Sequence, residues 1–166
     1  MYIFAKIAYS SSHKPVGKWH PMSNYWLFKS EPETYSFQTL AKEKKTTWNG
    51  VRNFQARNFL RQCKKGDFAF IYHSGKEKAV VGVCRILKDG YLELDPKKPG
   101  EWTQLDVAYA LQLKSPVSLA MIKKTPALKT MPLIKHTRLS CMPVDEKEFK
   151  TILEMGEAWD AFQKLK

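Results

Sequence analysis

The sequence predicts an α+β fold: a small, open, mixed β-barrel of five to six short strands with helices inserted between them. Three observations predict it. The 166-residue chain is 43% hydrophobic and carries 5 Trp, 7 Tyr and 9 Phe, enough apolar surface for one packed domain. Its apolar runs are short and stop at Gly, Pro, Asn or Ser, as strands between turns do. The clearest helical period is confined to residues 53–64, and the segments around it do not alternate as βαβ units would.

Residues 1–21 differ from the rest. They hold Lys6, Lys14 and Lys18 and no acid, in a Ser-rich context, and read as an N-terminal extension ahead of a domain at 22–166. A transit peptide shares this basic, acid-free composition, but Arg and an amphipathic period are missing. Tyr25 to Lys29 reads as the first strand. Within it Trp26, Phe28 and Ser30 share one face, and Tyr25, Leu27 and Lys29 the other. Pro32 lacks a ladder donor, so pairing should end before it. Ser36 caps a short helix through Leu40 and Ala41, and Lys44 to Asn49 reads as a polar loop.

From Asn53 to Lys64, the residues Ala56, Phe59, Leu60 and Cys63 fall at i, i+3, i+4 and i+7, one apolar helix face. Arg57, Arg61, Lys64 and Lys65 fall away from it, with Phe54 among them. Gly66-Asp67 ends the helix. Phe68 to His73 and Ala79 to Leu87 read as a strand pair joined by the five-residue hairpin Ser74–Lys78. Tyr91 to Leu94 is a further short strand, and Trp102 to Leu113 a long one. Ser118 to Lys123 and Ala127 to Met131 read as helical turns interrupted by Pro116, Pro126 and Pro132. Arg138 to Met142 is the last strand. Asp145 caps a final helix to Met155, and Gly156 stops it.

Charge supplies the first functional hint. Lys+Arg is 28 against Asp+Glu 16, a net +12, which favours polyanions and above all nucleic acid. The charge is segregated: from Lys42 to Lys65 there are eight cations and one acid, and from Val107 to Val144 there is no acid. Cys63, Cys84 and Cys141 are far apart and form no CxxC, which reads as buried thiols in a reducing compartment. Neither they nor His13, His20, His73 and His136 have metal-ligand spacing, so no metal or cofactor is expected. No apolar run approaches the roughly 20 residues of a membrane helix.

Four stretches carry candidate chemistry. Lys29-Ser30-Glu31-Pro32 places a donor, a donor–acceptor and an acceptor at a strand end, a set that matches a base edge or forms an ordinary strand exit with a surface ion pair. Trp48 precedes Gly50 and the helix start at Arg52-Asn53, and either lids the core or stacks on a ligand. Tyr72-His73-Ser74 ends an apolar strand. Adjacent strand residues face opposite sides, so His73 is badly placed to activate Ser74, and a polar pocket rim suits the stretch better. Arg138 and Ser140 share a strand face that suits a phosphate or a paired acid. Walker, dinucleotide and HExxH motifs are missing.

In order and spacing these pieces resemble the EVE domain of the PUA-like superfamily. The match runs from Ser23 to Gly156: Lys29-Ser30-Glu31-Pro32, then Trp48-Asn49-Gly50-Val51-Arg52-Asn53 leading into Gln55-Ala56-Arg57-Asn58-Phe59-Leu60-Arg61, then Gly66-Asp67, Tyr72-His73-Ser74, Val80-Val81-Gly82, Arg138-Leu139-Ser140 and Pro143-Val144. The resemblance implies a PUA-like barrel that reads nucleic acid and accepts a modified base in an aromatic and polar pocket. The similar YTH domain has a first strand ending in Lys-Ser and a Gly-Val-Trp turn whose Trp stacks on methylated adenine. Here Trp48 precedes Gly50-Val51 instead of following it.

The expected ligand site is therefore Trp48 as aromatic wall with Val51, Arg52 and Asn53 beside it. Lys29, Ser30 and Glu31 meet the base edge, and Tyr72, His73, Ser74, Arg138 and Ser140 form the rim. Arg57, Arg61, Lys64 and Lys65 are the expected phosphate contacts. The expected partner is single-stranded or flipped DNA or RNA, bound by a monomer in the cytoplasm, or in the nucleus of a eukaryote, with no catalysis and no membrane. A nucleic-acid hydrolase using Glu31 or His73, or a protein-interaction module using the basic helix face, are the alternatives.

Overall fold

Four successive buried residues, Tyr25 to Phe28, make β1 (Tyr25–Ser30) a strand covered on both faces, and its two edges are paired as well. The computed structural model describes residues 24–94 and 102–166; the extension at 1–21 and the domain start at Met22 lie outside them. β1 runs parallel to β3 (Phe68–His73), with Lys29 opposite Tyr72 and Ser30 opposite His73, and antiparallel to β7 (Cys141–Val144). β3 pairs with β4 (Ala79–Ile86) through the expected five-residue hairpin. β4 pairs with β6 (Thr103–Ser118), which also holds β2 (Lys45–Trp48) and β5 (Tyr91–Leu92). The order β2-β6-β4-β3-β1-β7 leaves β2 and β7 as unjoined ends, an open mixed barrel of seven strands.

The helices are stitched in by side-chain caps. Ser36 Oγ accepts the Thr39 N–H at the start of α1 (Phe37–Glu43), and Asn53 Oδ1 accepts the Ala56 N–H at α2 (Phe54–Gln62). α2 buries Ala56 and Leu60 with Cys63 beyond its end, as its period predicts. α1 docks by Phe37, which lies so close over Gly82 of β4 that any Cβ there would overlap its ring. On the outer face of β1 and β3, Phe149 of α5 (Glu146–Met155) stacks on Tyr25 at 4.2 Å and on Phe70 at 4.1 Å.

Several expected boundaries move. Lys44 to Asn49 is largely strand: Thr46, Thr47 and Trp48 suit an extended edge, and β6 supplies the partner that the polar pattern hid. β6 continues past Leu113 to Ser118. Its register against β4 slips between Val80 and Gly82, and Pro116 sits in that slip, where no regular ladder donor is needed. The last strand starts at Cys141 and not Arg138, and it tolerates Pro143 because β7 is an edge. α3 (Leu119–Lys124) is capped by Ser118, while Pro126 and Pro132 open the 3₁₀ turn Pro126–Leu128 and α4 (Pro132–Lys135) in place of a turn at Ala127 to Met131. The helix capped by Asp145 is not the final one. α6 (Trp159–Gln163) follows and packs Phe162 on Phe68 at 4.8 Å.

Candidate functional site

Where β1 ends, the chain turns back on itself. The Glu31 carbonyl accepts the N–H groups of Thr34 and Tyr35, both at 2.9 Å, and the Ser30 hydroxyl donates to the Tyr35 carbonyl. Tyr35 is thereby set beside the strand end, and its phenol donates to Glu43 at 2.7 Å. Across from it, β2 delivers Trp48. This indole is half-buried, 5.4 Å from the Phe28 ring and edge-on to Tyr35 at 6.4 Å. Gly50 follows at φ +76, a left-handed turn that lets the chain double back into the Asn53 cap of α2.

Between these segments lies a cavity of about 760 Å³. The strand end at Lys29, Ser30 and Glu31 forms one wall, and Thr34 and Tyr35 continue it. Thr46, Thr47 and Trp48 stand opposite. Asn49 to Asn53 line it as well, with Val51 as a buried apolar contact, and so does Ser140. The lining combines an aromatic wall, hydroxyls, amides and the exposed Glu31 carboxylate, a donor and acceptor set able to orient a flat polar ligand.

The expected site residues part company here. Ser30, Glu31, Trp48, Val51, Arg52, Asn53 and Ser140 all line the cavity. Lys29 lines it too, but its ammonium donates to the carbonyls of Thr137 at 2.9 Å and His136 at 3.3 Å, and burial pushes its pKa down. Lys29 thus anchors the turn that carries Ser140, whose carbonyl accepts the Lys29 backbone N–H at 2.9 Å. Arg52 forms a fork to Glu93 at 2.9 and 2.7 Å, with its guanidinium 5.3 Å from the Trp102 ring.

Tyr72, His73, Ser74 and Arg138 are not among the lining residues. Tyr72 is buried. His73 is buried as well: its Nε2 accepts the Phe37 N–H at 3.0 Å, so Nδ1 carries the proton shared with Glu77 at 2.6 Å. Ser74 donates to the Ser30 carbonyl through both its N–H at 2.9 Å and its hydroxyl at 3.3 Å. This stretch buttresses the end of β1 from behind because parallel pairing sets Ser30 against His73. Arg138 is exposed in the turn before β7, off the strand on which it was expected to share a face with Ser140. Thr34, Tyr35, Thr46 and Thr47 line the cavity without having been singled out, and Asn49 and Gly50 line it from within a stretch that was, though neither was an expected site residue. Tyr35 had a signal, since Pro32 forces a turn that returns an aromatic residue to the strand end.

The expected phosphate contacts do not form one helix face. Arg57 lies 5.0 Å from the Phe54 ring, and Arg61 donates to Thr103 at 3.1 Å. Lys64 and Lys65 lie beyond α2, where Asp89 accepts from the Lys64 ammonium at 3.2 Å and the Lys65 N–H at 2.8 Å. These contacts hold the Asp89 pKa below its usual value, the Lys65 amide first. The three cysteines are free and buried, and burial pushes the Cys63 and Cys84 thiols up. Among the described residues no group of His, Cys, Asp or Glu is arranged to hold a metal, and no helix is long and apolar enough to cross a membrane.

An open mixed barrel whose first strand ends in a cavity walled by one indole and a polar edge is a PUA-like fold. Within that class the EVE domain model matches residues 24–155, and the chain belongs to the EVE domain family. Thymocyte nuclear protein 1 of Rattus norvegicus is 36% identical over 182 residues, covering 90% of this chain and 80% of the relative. Protein Atu2648 from Agrobacterium tumefaciens superposes with TM-score 0.79 at 37% identity, covering 83% of this chain and 96% of that one. Human THYN1 protein, in a crystal structure with 5-methylcytosine containing DNA, gives TM-score 0.76 at 34% identity and covers 81% and 98%. The YTH domain of Zygosaccharomyces rouxii MRB1 protein, in complex with N6-methyladenosine RNA, matches in fold alone, with TM-score 0.51 at 18% identity over 86% of this chain and 92% of that one.

Proposed function

We propose that this chain is a nucleic-acid reader that takes one modified base, turned out of its strand, into the cavity between the ends of β1 and β2. The observation that carries the reading is the pairing of Trp48 with the polar end of β1 across a cavity of about 760 Å³. That volume lies within the range of about 300–1,000 Å³ typical of small-ligand pockets. The human relative crystallised with 5-methylcytosine containing DNA, at 34% identity, makes a methylated base the first ligand to test.

In this reading Trp48 stacks on the base, held in place by Phe28 and Tyr35. Glu31 accepts from an exocyclic amine, Ser30 and the threonines of β2 meet the remaining edge, and Val51 receives an apolar substituent. The net charge of +12 supplies sequence-independent affinity for phosphates, with Arg57, Arg61, Lys64 and Lys65 as the candidate backbone contacts. Extruding a base from a duplex costs a few kcal/mol, roughly, so single strands should bind more readily. The reading treats residues 22–166 as one monomeric domain preceded by an extension, working in the cytoplasm or, in a eukaryote, the nucleus.

We read the site as binding and not catalysis. His73 has both ring nitrogens committed, and the Ser74 hydroxyl is bonded to the Ser30 carbonyl, so the pair offers no activated nucleophile. Fluorescence anisotropy with matched oligonucleotides tests the function: 5-methylcytosine against cytosine in DNA, and N6-methyladenosine against adenosine in RNA. At least one modified strand should bind roughly 10- to 200-fold more tightly than its unmodified match, the span that one methyl group commands in an apolar pocket. Equal affinity within both pairs would refute the reading for these bases, and turnover of either strand would refute the non-catalytic assignment.

A further inference from the structure

Next to the cavity, the first turn of α2 carries an aromatic side chain that the core does not use. Phe54 is 60% exposed, and it is the only aromatic among the exposed large hydrophobics of the described residues. It is nonetheless held in place. Its ring stacks on Trp102 with centroids 5.1 Å apart and planes 22° from parallel. The Arg57 guanidinium lies 5.0 Å from the Phe54 ring and 6.0 Å from Trp102. On the other side Arg52 lies 5.3 Å from Trp102, is fixed by its fork to Glu93, and lines the cavity. Phe54, Trp102 and the two guanidinium groups therefore form one cluster that shares Arg52 with the cavity lining.

We propose that Phe54, Trp102 and Arg57 form a second stacking platform, which receives the unpaired base next to the one held in the cavity. Three observations support this occupant. Leaving an aromatic ring open to water forgoes the burial that holds other aromatic residues in cores, whereas a ring that will stack on a base must stay open. The Arg57 guanidinium against the Phe54 ring places positive charge beside a base stacked there, where the phosphate joining two nucleotides would run. Arg52 belongs to both the cavity lining and the cluster, so a strand leaving the cavity passes from one to the other. Stacking reads no base edge, so the platform contributes affinity for a single strand and not sequence preference.

This proposal rests on the reading that the cavity accepts a base, and a mutant cycle separates the two. The probe is a single-stranded DNA nonamer with a central 5-methylcytosine, and versions of it with one neighbouring nucleotide made abasic. Phe54→Ala should weaken binding of the intact nonamer roughly 10-fold, the scale of one lost stack. The abasic nonamer on one side should bind wild-type protein about as weakly, and Phe54→Ala should weaken that complex no further. Phe54→Tyr should restore affinity, which a disturbed helix start would not allow. Unchanged affinity for Phe54→Ala, or losses that simply add, would overturn the platform, even with the cavity reading intact. If Phe54→Ala weakens binding while Trp48→Ala does not, stacking at Phe54 stands by itself, and the cavity reading falls together with the claim that the two bases are neighbours. A wild-type protein that binds no nonamer overturns both.

Discussion

Replacing Trp48 with alanine separates two roles of one side chain. A wholly buried Trp→Ala change costs about 3–5 kcal/mol of stability. Trp48 is half-buried, resting on Phe28 at 5.4 Å and meeting Tyr35 edge-on at 6.4 Å. The larger part of that cost, about 2–3 kcal/mol, is then expected, because most of the indole packs against the core. For a domain of this size that lowers Tm by roughly 4–12 °C. The open part of the indole has a different use. If a base stacks there, its loss costs about 1–3 kcal/mol of binding, roughly a 5- to 150-fold rise in Kd. Differential scanning calorimetry and anisotropy titration on one preparation measure both. A fall in Tm beyond about 12 °C with unchanged affinity would refute the reasoning, because it would place the whole indole in the core.

Two further predictions concern the frame. Gly82→Ala places a methyl group inside the ring of Phe37, which is buried and cannot swing away, so it should cost about 1–3 kcal/mol or more in chemical denaturation and loosen α1. Burial raises the pKa of Glu148, whose carboxylate accepts the Asp145 N–H at 3.0 Å in the α5 capping box. A carboxyl with a raised folded pKa gives stability that is complete below its unfolded value near 4.5 and is lost as pH rises through the folded value. Relative to Glu148→Gln, the wild-type protein should therefore be more stable at pH 4.5 than at pH 7 in urea titrations; the opposite sign would refute the assignment.

The sequence was most legible where a local period and a cap agree. The α2 stripe, the Asn53 and Asp145 caps and the β3–β4 hairpin all lie where local chemistry puts them. It was least legible where a distant partner decides. Lys45 to Trp48 is polar enough for a loop and becomes strand because β6 lies alongside. His73 carries no local sign that its imidazole will meet the Phe37 amide across the barrel. The cavity divides the same way. Ser30, Glu31 and Trp48 were visible as polar and aromatic residues at a strand end and near a turn. The anchoring role of Lys29 was hidden because its carbonyl partners, His136 and Thr137, come from more than 100 residues further along the chain. The Phe54–Trp102 pair was hidden for a similar reason, since nothing in either segment announces the other.

The placement of β1 also bears on how the chain is made. Its neighbours in the sheet are β3 and β7, and the aromatic cover of its outer face comes from Phe149 and Phe162. A ribosome therefore releases the run Tyr-Trp-Leu-Phe long before most of what will enclose it exists. At roughly 5–20 residues per second, the wait for α5 and α6 is several seconds or more. Through that interval an extended, apolar, uncharged segment has one face open to other nascent chains, with both edges open until β3 emerges and the β7 edge open after it. Lys29 at the end of the run and Pro32 just beyond it are residues that limit such strand addition, so the polar stop that shapes the cavity in the finished fold also guards the unfinished one.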